Sequence, residues 1–184
     1  MAVAAAVAGC GEASAPAPPP TQPLTGTGFT ARFGASWTKE TRTSQGATEY
    51  ELSSHGSLNA SGLPADGAIG ITVQVVPFTV LQASGAPDPS TLTQVQLMDG
   101  VVGTPTDATG VTVTVGLHSV TFAGDTAGAA SLTYTSGGHP NLQEDVVDRH
   151  GKVVYLIELD VDPALKVQAE AAVSALVKSW TWTV

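Results

Sequence analysis

The segment HPNLQEDVVDRH, from His139 to His150, carries the densest set of proton-transferring and metal-ligating side chains in the chain. His139, Glu144, Asp145, Asp148, Arg149 and His150 fall within it. Carboxylates beside imidazoles are the ligands that Ca²⁺ or a transition metal would take. Alternate residues of an extended strand share a face. Over 141–149 that sets Glu144, Val146 and Asp148 on one side and Asp145 and Val147 on the other. The simpler reading is a solvated acidic face ending in a turn. His139, Glu144, Asp145, Asp148 and His150 remain the candidate patch for a ligand or partner, with no metal expected. A second acidic stretch, ELDVD, holds Glu158, Asp160 and Asp162. Glu158 and Asp160 belong to a polar strand face, whereas Asp162 precedes a proline as a helix cap does. A carboxyl pair for glycoside hydrolysis needs a set separation across a cleft, which is a property of the fold and not of spacing in sequence.

No nucleophile elbow, phosphate loop, dinucleotide fingerprint or H-E-x-x-H run occurs. His55, His118, His139 and His150 are isolated from one another in sequence. His118 falls late in a strand and the others in turn-like surroundings, so exposed turn imidazoles are expected. Trp37, Trp180 and Trp182 could stack on a sugar or lipid headgroup, but aromatics near sheet ends more commonly anchor a core. No catalytic residue is assigned, no cofactor is expected, and the chain is not expected to be an enzyme.

Cys10 is the single cysteine, so neither an intramolecular disulfide nor a cysteine-based zinc motif is open to it. The Ala- and Pro-rich stretch beside it has no apolar periodicity with which to build the electropositive site of a reactive thiolate. Upstream, MAVAAAVAG is small and apolar, as at the end of a secretory signal. Val7, Ala8, Gly9 and Cys10 resemble a bacterial lipobox at all four positions. That resemblance implies cleavage before Cys10, a diacylglycerol thioether on its sulfur, and acylation of the new amino terminus. With nine residues and no Lys or Arg ahead of Cys10, 1–9 is expected to be the end of a longer signal. Residues 10–27 are expected to form the lipidated cysteine and a Pro/Ala-rich tether. Extended polyproline geometry there would hold a domain on the order of 40–50 Å from a membrane. The globular domain is expected over 28–184.

Composition narrows the partners. The chain has 184 residues, seven of them Lys or Arg, and a formal net charge of −9. Without a basic stripe, neither nucleic-acid phosphates nor anionic headgroups have an electrostatic partner. The expected contacts are a membrane, through the lipid on Cys10, and a cell-envelope protein, the chain itself being monomeric.

Period-two alternation marks the strands. Ile69, Ile71, Val73 and Val75 are in step, as are Val111, Val113, Val115 and Leu117. Leu132 with Tyr134 forms a third set, and Val153, Tyr155, Ile157, Leu159 and Val161 a fourth. Each set is expected to face a core. The sequence DRHGKVV reads as a tight turn with His150 and Gly151 at its tip. Two helices are expected. Asp88 and Pro89 open the first, with Leu92, Val95, Met98 and Val102 as its apolar stripe. Asp162 and Pro163 open the second, with Leu165, Ala169, Ala172, Val173, Leu176 and Val177 buried. The pattern predicts an α+β domain: an antiparallel sheet of about six or seven strands with two main helices packed on it.

Three segments carry a family resemblance. GFTARFGASWT resembles the aromatic opening of the PsbP-like domains, VTFAGDTAGAASLTYTSG their middle hairpin, and DRHGKVVYLIELDVDPALKVQAEAAVSALVKSWTWT their ending. The family includes an extrinsic photosystem II protein, a nuclear import factor and many small bacterial envelope lipoproteins. The resemblance implies an α/β/α sandwich and a non-catalytic accessory or interaction role on the outer face of the cell membrane. A carrier or sensor of an apolar envelope ligand is the alternative, with a hydrolase behind it.

Overall fold

The structure is a computed structural model that describes residues 20–58, 63–65, 67–101 and 107–183. Cys10, the lipobox and the first part of the tether lie outside these residues, as does Val102 of the first expected helix.

The chain builds two antiparallel sheets. The smaller holds β1 (Pro20–Gly26), β2 (Phe29–Gly34) and β10 (Thr181–Trp182), in the order β1-β2-β10. The larger holds β3 (Thr38–Ser44), β4 (Ala47–Ser53), β5 (Ile69–Pro77), β6 (Thr109–Phe122), β7 (Asp125–Ser136), β8 (His139–His150) and β9 (Val153–Val161). Its order is β3-β4-β5-β9-β8-β7-β6. The helices are α1 (Phe78–Ala83), α2 (Gln94–Val101) and α3 (Lys166–Ser179). This is the α+β fold read from the sequence, with two main helices, α2 and α3, packed against antiparallel sheets.

The domain starts earlier than Gly28. Residues Pro20–Gly26 pair with β2 instead of belonging to the tether, and Leu24 is fully buried. Pro20 and Pro23 conceal the strand in the sequence, yet an edge strand tolerates proline because its outer N–H groups need no partner. The short α1 was also not expected.

The main core lies between one face of the large sheet and a layer made of the small sheet and α3. Tyr50, Leu52, Ile71, Val73, Tyr155, Ile157, Leu159 and Val161 meet Leu24, Phe29, Phe33, Ala169, Leu176 and Trp180 there. The indole of Trp180 stacks on Phe29 with ring centroids 4.1 Å apart. Trp37 and Trp182 pack at the rim of the same core. The tryptophans thus serve packing. On the opposite face, Leu97 and Met98 of α2 bury Ala130, Val147, Val154 and Leu156. A side chain at Gly128 would come within 2.6 Å of the Gln94 carbonyl oxygen. Gly128 and Ala130 of β7 are what let α2 sit so low.

Both helix starts differ in one way from the expectation. Asp88 accepts a hydrogen bond from the Ser90 amide at 2.9 Å, and Asp162 from that of Ala164 at 2.8 Å. Each cap opens a single 3₁₀ turn, and the α-helix follows it. The start of α2 proper is a Thr93/Gln96 capping box, in which each side chain bonds the other residue's amide. The β8–β9 turn is formed by Gly151 and Lys152, one residue beyond the expected tip, since His150 still pairs with Val153. Gly151 has φ +60, the conformation glycine supplies at the first position of such a loop.

Candidate functional site

β8 holds every member of the candidate patch, and for that reason does not gather them. Eleven residue steps of extended chain separate His139 from His150, about 37 Å. His139 is exposed at the start of the strand. Glu144 is half-buried, 3.7 Å from Lys166 of α3. Asp145 and Asp148 are buried, at 1% and 0% exposure. The expectation of a solvated acidic face is therefore corrected. β8 has paired strands on both sides and faces covered along its middle, so Asn141, Gln143, Asp145 and Asp148 lie inside the protein while its two end histidines do not.

Asp145 belongs to an acidic layer that crosses the sheet. Glu40, Glu51, Thr72, Glu158 and Asp145 stand opposite one another in register across β3, β4, β5, β9 and β8. One step along, Asp160 stands opposite Gln143. Gln143 Nε2 donates to both Asp145 oxygens at 3.1 and 3.0 Å, and it lies 3.4 Å from Glu158 Oε2. Tyr134 Oη donates to Asp160 Oδ1 at 2.7 Å. Arg42 Nη1 reaches Glu51 Oε1 at 2.9 Å from the exposed edge.

Burial and mutual repulsion decide how these groups ionise. Burial, then the charges of Asp160 and Asp145, push the Glu158 carboxyl up to about 9. Burial lifts Asp145 to about 7 against the hydrogen bond from Gln143. Glu51 rises to about 7 through burial and its bond with Glu49, with Arg42 opposing. Asp160 is raised by burial, and Tyr134 is raised by burial and by the Asp160 charge. Glu158 thus keeps its proton at neutral pH. Among the described residues, no three of His, Cys, Asp and Glu converge as metal ligands would. Glu51 and Tyr134 escape a reading by local clustering, because strand register brings them to this layer. Gln143, two residues from Asp145, was within reach of one.

Asp148 and Arg149 hold α2 in place. Asp148 Oδ1 accepts from the Gln94 amide group at 3.1 Å and from the Arg149 backbone at 2.7 Å. Burial still raises it to about 6. Arg149 Nη1 donates to the carbonyls of Pro89 and Leu92 at 2.5 and 2.8 Å. At the far end, His150 Nδ1 lies 3.0 Å from Asp125 Oδ2, and its ring stacks on Trp182 at 4.3 Å. An imidazole with a carboxylate is half of a nucleophile-activating arrangement. No serine or cysteine completes it among the described contacts.

The surface feature that stands apart is β6. The alternation there predicts a half-buried strand, yet Val111, Val113, Val115 and Leu117 are 47%, 63%, 47% and 44% exposed. Val167 on α3 is the other large apolar side chain so exposed among the described residues. β6 is the last strand of its sheet, and its register against β7 shifts three times, between Thr109 and Thr112, between Val113 and Val115, and between Val115 and His118. From Thr109 to Phe122 it contains no Asp, Glu, Lys or Arg.

No family model matches the chain, and no curated protein matches its sequence. Solved structures of similar shape include LpqN of Mycobacterium tuberculosis, described as involved in cell envelope biogenesis. It is 17% identical over 89% of this chain and 90% of that one, with a TM-score of 0.46. The Saccharomyces cerevisiae Ran-binding protein Mog1p is 9% identical over 86% and 92%, also with a TM-score of 0.46.

Proposed function

We propose that this chain is a lipid-anchored module of the cell envelope, PsbP-like in fold, that binds a protein partner through β6 and performs no catalysis. The observation that carries this reading is β6 itself. Four large apolar side chains lie on one uncharged edge strand. Contiguous exposed apolar surface of this kind marks interaction sites. A free sheet edge also offers a row of backbone donors and acceptors to an incoming strand. The opposite face gives an apolar ligand less to enter, since Leu97 and Met98 sit directly on the sheet.

Anchoring rests on Val7-Ala8-Gly9-Cys10 and the proline tether behind it. Among the described residues no helix is long and apolar enough to cross a membrane. Several acyl chains together hold a protein at a bilayer where one does not. In a chain carrying a complete upstream signal, Cys10→Ala is expected to move the protein from the membrane to the soluble fraction. Retention at the membrane would refute the anchor. For binding, the test is affinity capture with the wild-type chain beside a Val113→Lys variant. A protein held by the first and lost from the second supports the docking edge. Identical captures, or co-purified lipid with no protein, would refute it.

A further inference from the structure

We propose that Asp148 and Gln94 form a proton-operated clasp. With Asp148 protonated, its carboxyl and the Gln94 amide close a two-bond pair that holds the start of α2 on the sheet, and ionisation opens that pair.

Asp148 lies on β8 and is fully buried, and Gln94 is the first residue of α2. One bond of the pair is in place, from Gln94 Nε2 to Asp148 Oδ1 at 3.1 Å. Each group has a second oxygen, Asp148 Oδ2 and Gln94 Oε1. Both atoms are buried, and neither has a hydrogen-bond partner among the described residues. Carboxylate and amide oxygens only accept, so two of them cannot satisfy each other. A proton on Oδ2 turns one into a donor. Acid and amide then pair through O–H···O and N–H···O together. Ionised Asp148 leaves both acceptors unmade in the interior, which destabilises the closed arrangement.

The surroundings favour the proton. Burial raises the Asp148 carboxyl from 3.8 to about 6, and the charge of Asp125 on β7 adds to it. The Arg149 backbone amide opposes, as do the charges of His150 and Arg149. The Arg149 guanidinium bonds the carbonyls of Pro89 and Leu92, so it is not spent on the buried carboxyl. Tyr155 stands opposite Asp148 on β9 and is itself raised, by burial and then by the Asp148 charge. From α2, the Gln94 amide is the group that meets Asp148. A folded-state value above the unfolded one makes the clasp's contribution complete below 3.8. It is lost as pH rises through about 6. Leu97 and Met98 still seat α2 on the sheet then, so the start of the helix loosens while the domain stays folded.

The test is hydrogen exchange of the full chain, resolved to 94–101 and corrected for the intrinsic effect of pH. Protection there should be about tenfold stronger near about pH 5 than near about pH 8. Asp148→Asn keeps the shape and places a permanent donor on the acid, so protection should stay at the acid level at both pH values. Gln94→Met removes the amide and should bring protection near about pH 5 down to the wild-type level near about pH 8. Glu158→Gln changes the separate acidic layer and should leave the wild-type response at 94–101 in place. Circular dichroism checks that each variant folds. Equal protection at the two pH values in the wild type would overturn the clasp. So would a pH response retained in Asp148→Asn, or acid-side protection untouched by Gln94→Met. The Gln94→Met comparison stands by itself if Asp148→Asn does not fold.

Discussion

Glu158 keeps its proton at neutral pH because burial and the neighbouring carboxylates hold its pKa near 9, against an ordinary 4.5. Between those values the folded chain binds more protons than the unfolded chain. Stability therefore falls as pH rises across that window. Asp145 and Glu51, each raised to about 7, act in the same direction up to that pH. Thermal melts should show a higher Tm near about pH 5 than near about pH 9. Glu158→Gln keeps the shape without the charge and should flatten the dependence. Glu170→Gln, on the outer side of α3, should leave it unchanged. A Tm that climbs with pH would contradict the protonated layer. Sequence pattern correctly put Glu158 and Asp160 on one face of β9 but not inside the protein. Alternation tells which residues share a side, whereas depth depends on neighbours distant in the chain. The Asp160–Gln143 and Glu158–Asp145 pairings are long-range facts of this kind.

At the scale of elements, the helix caps were legible because they are local. Asp88 with Pro89 and Asp162 with Pro163 announce chain reversal into a helix within three residues. The Thr93/Gln96 box is equally local but was not expected, and Thr93→Ala should cost about 1 kcal/mol by chemical denaturation. Contacts from other elements could not be read that way. α2 rests on Gly128 and is tied down by Arg149. Gly128→Ala should lift the helix and destabilise the fold. Met98→Ala, which empties a fully buried site, should cost about 2–5 kcal/mol. Hydrogen exchange resolved to 94–101 should report both changes. Unaltered protection there in Gly128→Ala would contradict the close approach. β1 and β6 mark the limit of pattern reading in opposite directions. Prolines hid a true strand at Pro20–Gly26, and clean alternation implied burial for a strand whose faces are left open.

The whole molecule is a large sheet covered on one face by the small sheet and α3, and on the other in part by α1 and α2. Its interior is stabilised by aromatic packing around Phe29 and Trp180. Trp180→Ala should cost about 3–5 kcal/mol. Asp145 and Asp148 of the polar cluster that is densest in sequence turned inward, whereas the apolar edge strand β6, without Asp, Glu, Lys or Arg, turned outward. The most direct test places a photo-crosslinking amino acid at Val113 in the full chain, in the cells that make it. The same group at Val167, 75% exposed on α3, is the control. A discrete protein adduct is expected from position 113, and none from 167. No adduct at 113, or the same adducts from both positions, would contradict β6 as the binding edge.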